Sequence, residues 1–208
     1  MSRNNNNTSR VDSARAAGLL KLATHMEKIS VFSGQAISWL TLAMVLTTFA
    51  IVVLRYGFGT GWVAMQESVI YMYALVFLIG IPYTLKQNGH VRVDIFYCNM
   101  SPRSKAWVNL LGTLFLLIPV TLFIAWISWD YIAASWALKE QSGEAGGLPG
   151  VYLLKSSLLV MTLLLLIQGF SQLLFNFVFL FYPDEQQQPL QKLKETTDPK
   201  NRMKSGIL

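Results

Sequence analysis

Polar and apolar positions along this chain come in blocks. Apolar runs cover about residues 32–54, 62–85, 106–136 and 151–182, and short polar segments separate them. Each run is long enough to cross a bilayer, whose hydrocarbon core of roughly 30 Å needs about 20 helical residues. Backbone amides and carbonyls in lipid have no water to bond, so a spanning segment must satisfy them within itself, as a helix does. The pattern therefore predicts an all-α integral membrane protein with four transmembrane helices, forming one domain over residues 31–182. Its apolar surface belongs to lipid and neighbouring helices, not to a water-excluding core.

The polar blocks divide the rest. Residues 1–15, with the run Asn4–Asn7, hold too few apolar side chains to offset the entropy of ordering and read as a disordered tail. Over residues 16–30 a helical period appears. Leu19, Leu22, Met26 and Ile29 recur at three- and four-residue spacing, and Lys21, His25 and Lys28 follow the same period on another face. This predicts an N-terminal amphipathic helix in the membrane interface, its lysines near anionic headgroups; the competing reading is a plain extension of the first span. Between spans two and three, Lys86-Gln87-Asn88-Gly89 reads as a helix end and turn. The stretch that follows, with His90, Arg92 and Asp94, alternates like a strand. A lone strand has no partner for its backbone groups, so a short interfacial helix is the better expectation. Ser101-Pro102 predicts the start of the third helix, since proline is tolerated in a first turn. Residues 183–208 read as a polar, glutamine-rich tail.

Composition agrees with the block pattern: 53% hydrophobic against 13% charged residues fits a small polytopic membrane protein. The net charge of +6 does not point to nucleic acid, because the cations sit in the tails and one loop. Arg3, Arg10, Arg15, Lys21 and Lys28 precede the first span. Lys86, Arg92, Arg103 and Lys105 lie between spans two and three, and Lys192, Lys194, Lys200, Arg202 and Lys204 follow the fourth. Only Arg55, Lys139 and Lys155 fall on the other side. By the positive-inside rule both termini and the central loop are cytoplasmic, and in a bacterium the two remaining loops face the periplasm. The first apolar run starts about thirty residues in and exceeds a signal core of roughly 7–15 residues, so it is expected to remain as a helix. The single cysteine, Cys98, leaves no partner within one chain for a disulfide or a multi-cysteine cluster.

Chemistry inside the spans is sparse. The third run, about thirty residues, is longer than a bilayer needs and carries Pro119, a candidate bend. Trp62, Trp126, Trp129 and Trp136 gather at the outer level as an aromatic belt. Charge in lipid is costly unless it meets a partner or water, which singles out Arg55, Glu67, Asp130 and Lys155, all near the outer end. The expectation is a structural ion-pair network pinning the two helical hairpins together. Transport of an ion by Glu67 or Asp130 is the weaker reading, because no ionisable residue occupies the middle of any span to receive it. His25 and His90 lie in surface segments, which disfavours haem, and no nucleophile–base pair, phosphate loop or metal-ligand spacing is visible. No cofactor or enzymatic activity is expected.

Several motifs in order resemble a known family. They are Arg55-Tyr56 after span one, Trp62 followed by Glu67, the run Lys86-Gln87-Asn88-Gly89-His90-Val91-Arg92-Val93-Asp94, and Gly147-Leu148-Pro149 with Lys155 opening span four. Together they resemble the small membrane subunit, the DctQ-type small permease, of tripartite ATP-independent periplasmic (TRAP) transporters, over about residues 27–182. The resemblance implies a bacterial inner-membrane uptake system. In it a periplasmic binding protein delivers an organic acid, often a carboxylate, to a large DctM-type permease that is usually sodium-driven. The small subunit braces the stationary scaffold of that permease. On this reading Glu140 and Glu144, in the loop between spans three and four, are candidates for docking the binding protein; the plainer reading makes them a wet loop surface. Two other classes compete: a membrane anchor of a redox enzyme, which predicts haem or quinone contacts, and a self-sufficient small transporter, which predicts flux from this chain alone.

Overall fold

A computed structural model describes residues 3–87, 97 and 99–182, with backbone only for residues 3–14. Every regular element among them is helical: α1 (Arg3–Gly57), α2 (Val63–Lys86), α3 (Pro102–Leu138) and α4 (Val151–Phe181). All four are long and apolar enough to cross a membrane. The fold class read from the block pattern is the one observed. The interfacial loop residues His90, Arg92 and Asp94, Cys98 and the tail 183–208 lie outside the described residues.

The expected division into a tail, a surface helix and a first span is not a break in the backbone. One helix runs from Arg3 to Gly57. No proline precedes Pro82, so nothing in this stretch removes a helical hydrogen bond or blocks the turn before it. The other ends have local causes. Ser101 caps α3, its Oγ accepting from the Ser104 amide at 3.2 Å, with Pro102 in the first turn. Within α3, residues Thr113–Leu117 wind as a π-helix just before Pro119. The proline's missing amide thus falls where the winding has already changed. At the far end of α3, Lys139 adopts a left-handed conformation (φ 44°). Its amide bonds the Trp136 carbonyl at 3.2 Å and the Glu140 amide bonds Ser135 at 3.0 Å, the paired pattern that closes many helices.

The chain divides into two compact units. The first takes the described parts of Met1–His25, Val93–Leu114 and Phe170–Leu208. Here Ala16 and Leu20 of α1 are buried with Val178 of α4, flanked by Leu19, Phe175 and Tyr182. The buried Ser171 hydroxyl donates to the Ala23 carbonyl at 2.9 Å, so a polar group in an apolar setting is satisfied across two helices. The α1 face used is Ala16, Leu20 and Ala23, leaving Leu22 exposed. On α3 of this unit, Trp107 packs edge-on against Phe181 with ring centroids 5.8 Å apart.

The second unit takes Met26–Arg92 and Phe115–Gly169, in its described parts. α1 and α2 meet closely at Gly34, where a Cβ would lie 2.6 Å from Cδ2 and 2.8 Å from Cβ of Tyr83. Any side chain there would force the helices apart. Lys86, the last residue of α2, pairs with Glu27 of α1 at 3.6 Å, both side chains largely buried. Farther along, Met44, Val45 and Thr48 of α1 and Val69, Ile70 and Tyr73 of α2 line an apolar cavity of about 470 Å³. The span of α1 is the least covered: none of its most apolar window is buried, against a third for α4. Phe32, Trp39 and Phe49 are each at least two-thirds exposed. In water such a surface would be untenable; in a bilayer it faces lipid or another membrane protein.

Candidate functional site: a carboxylate-held loop at the helix ends

Polar chemistry of the second unit concentrates where α2 and α4 begin and α3 ends. The connection from Lys139 to Gly150 is too glycine-rich for a helix, so its backbone groups need other partners. Glu67, one turn into α2, supplies two. Its Oε1 accepts from the Ser142 hydroxyl, and its Oε2 accepts from the Leu148 amide at 2.6 Å. The loop closes on itself around these contacts. The Glu144 amide donates to Ser142 Oγ at 3.1 Å, the Ser142 amide to the Leu148 carbonyl at 3.3 Å, and the Gly147 amide to the Glu144 carbonyl at 3.0 Å. Gly147 makes room for the carboxylate: a Cβ there would lie 2.6 Å from Ser142 Cβ and 2.8 Å from Glu67 Oε2.

A second tie stands beside the first. The turn at Lys139 reverses the chain and brings Glu140 onto the Lys155 ammonium of α4. That ammonium also lies 3.9 Å from the centroid of the Tyr131 ring, a cation–π contact from α3. The Lys155 contact holds the Glu140 carboxyl below its ordinary value near 4.5, because hydrogen bonding to the ionised form favours it. Trp136 Nε1 donates to Ser156 Oγ at 2.8 Å, and the Trp136 and Tyr152 rings pack edge-on at 4.8 Å. Four contacts therefore join the end of α3 and the turn after it to the start of α4, and Glu67 joins the loop between them to α2.

Not all four expected network members meet. Glu67 and Lys155 are both engaged, but with the loop rather than with each other. Arg55 and Asp130 are exposed and carry no ion pair among the described residues. The reason is reach: the intervening loop folds onto Glu67 and occupies its acceptor sites. Glu140, expected as a docking residue, is bound to Lys155, whereas Glu144 is exposed. Lys86, grouped in the sequence with His90, Arg92 and Asp94, is paired with Glu27. Sequence reading missed Ser142, Tyr131 and Glu27, and picked out Gly147 without its contact to Glu67. Only the paired glycines before Leu148-Pro149 signalled a constrained turn.

Four helices long and apolar enough to cross a membrane define the class, a multi-pass membrane protein. The chain belongs to the family of DctQ components of tripartite ATP-independent periplasmic transporters, whose model matches residues 44–178. That span contains the Glu67 and Glu140 ties and leaves out Glu27. The chain is also similar to the C4-dicarboxylate TRAP transporter small permease protein DctQ of Vibrio cholerae, at 28% identity over 89 residues, or 43% of this chain. It spans 38% of the length of that relative. No solved structure matches the chain. As a DctQ component it is a small subunit of a TRAP transporter.

Proposed function

We propose that this chain is the bracing subunit of a bacterial inner-membrane uptake system, with both termini cytoplasmic and the Glu67 loop periplasmic. It associates with the scaffold of a large permease that takes up an organic acid, a carboxylate, delivered by a periplasmic binding protein and driven by a sodium gradient. The observation that carries this reading is the family match over residues 44–178, which reaches into all four spans, joined to an α1 span with none of its most apolar window buried. A helix with Phe32, Trp39 and Phe49 exposed on it has a large surface to offer a neighbouring membrane protein. The Glu67 and Glu140 ties stiffen the opposite asset, a loop that meets the binding protein with a preset shape and so loses little freedom on contact.

The experiment is reconstitution of three components in proteoliposomes: this chain, the large permease and the binding protein. Carboxylate uptake should need all three and an inward sodium gradient, and this chain should co-purify with the large permease. Uptake at an undiminished rate without this chain, or flux from this chain alone, would overturn the bracing role.

A further inference from the structure

The first unit carries a polarity pattern that the bracing role does not use. Along α3, Arg103, Trp107, Leu111 and Leu114 recur at intervals of four, four and three residues, which keeps them on one helical face. All four are exposed; the three apolar ones are each about two-fifths so. The order runs from a cation, through an indole, to two aliphatic side chains. Successive levels lie roughly 6 Å apart along the axis. Beside this face, Phe181 of α4 packs edge-on to Trp107, and Phe177 packs on Phe181 with centroids 4.7 Å apart, widening the apolar floor.

Charge completes the pattern. Residues 15–25, 99–114 and 170–182, all in this unit, contain Arg15, Lys21, Arg103 and Lys105 but no Asp or Glu. Lys105 is half-buried with its amine 5.4 Å from the Tyr97 ring centroid. Arg103 extends to solvent with no ion pair among the described residues. An exposed guanidinium is a planar fork suited to phosphate oxygens. Here it stands at the headgroup end of a stripe whose other members suit, in turn, the interface and the acyl region.

We propose that the Arg103–Trp107–Leu111–Leu114 stripe seats an anionic phospholipid, its phosphate on Arg103, its glycerol region against Trp107 and Phe181, and a chain along Leu111 and Leu114. A phospholipid matches both the sign of the free charge and the gradient of polarity. A bare patch of cations attracts any anion, but only an amphiphile uses the aliphatic end. The inference stands apart from the transporter reading and survives or fails without it.

The test uses the full chain purified in detergent and given phosphatidylglycerol or phosphatidylcholine in mixed micelles, with retained lipid counted by native mass spectrometry. Phosphatidylglycerol should be held in preference. Arg103→Gln should lower its retention about fivefold, the effect of one cation near an anionic lipid surface, and Trp107→Ala should lower it for either lipid. Arg103→Lys should retain most of the binding, which separates loss of charge from a folding defect. Arg55→Gln, an exposed cation outside the stripe, should leave retention unchanged. Equal retention of phosphatidylcholine, no effect of Arg103→Gln, or an equal effect of Arg55→Gln would overturn the site. So would loss of bound lipid in the complex with the large permease together with crosslinks from position 103 to that subunit, since a protein would then cover the stripe.

Discussion

Glu67 and Gly147 are complementary parts of one contact, and each predicts its own failure. The carboxylate accepts from Ser142 and Leu148, residues 75 and 81 positions away in sequence, so its loss frees the loop and leaves the backbone bonds of α2 in place. Glu67→Ala should lower the melting temperature of the purified protein by a few degrees. Glu67→Gln should be milder, because a neutral amide oxygen still accepts one of the two bonds. Gly147→Ala leaves both partners in place but inserts a methyl 2.8 Å from Glu67 Oε2. Overpacking of this kind costs about 1–3 kcal/mol, and adding Ser142→Gly should recover part of it by removing the other crowded side chain. Differential scanning fluorimetry on the four variants decides the matter. A Gly147→Ala protein as stable as wild type would mean that the loop is not held against Glu67.

At the level of elements, the hydropathy blocks located the spans because burial in lipid acts on every residue of a helix at once. The connections were harder to read. A pairing such as Glu67 with Ser142 depends on one side chain and on a turn set by Lys139, and neither leaves a periodic trace. Glu140 and Lys155 were both visible as charges at the same end, yet only the reversal after Leu138 shows that they meet. Glu27 was overlooked because lysines surround it in a segment that reads as surface. The Glu140 tie also makes a pH prediction. Its carboxyl titrates below the ordinary 4.5 in the folded chain, so its contribution to stability is complete above that value. It is lost as the pH falls through the lower folded value. Melting temperatures measured from pH 7 down to about pH 3 should fall in the acid range for the wild type. Glu140→Gln should start lower at pH 7 and fall less steeply. Parallel curves for the two proteins would remove the pair from the stability of the loop.

For the whole molecule, the distribution of charge bears on the one property that four helices alone leave open, which is direction. Fourteen of the seventeen Lys and Arg residues lie within residues 3–28, 86–105 and 192–204; the other three are Arg55, Lys139 and Lys155. The asymmetry is stronger than the count implies. Lys155 is neutralised by Glu140, and Lys139 is followed by a loop carrying Glu140 and Glu144. The loop between α1 and α2 contains no further cation after Arg55. Retention of cations on the cytoplasmic side is the argument for the proposed orientation, with cytoplasmic termini and a periplasmic Glu67 loop. Reporter fusions after Ile29, within residues 87–104 and after Pro183 should be active only in the cytoplasm. Fusions within residues 56–61 and 138–149 should be active only in the periplasm. A cysteine placed at the exposed Gln141 should react with a membrane-impermeant thiol reagent in intact spheroplasts, and one at the exposed Arg103 should not until the membrane is opened. The reverse labelling pattern would turn the molecule over. It would leave the helices and the Glu67 contact as they are, but deprive the loop of any part in receiving a periplasmic partner.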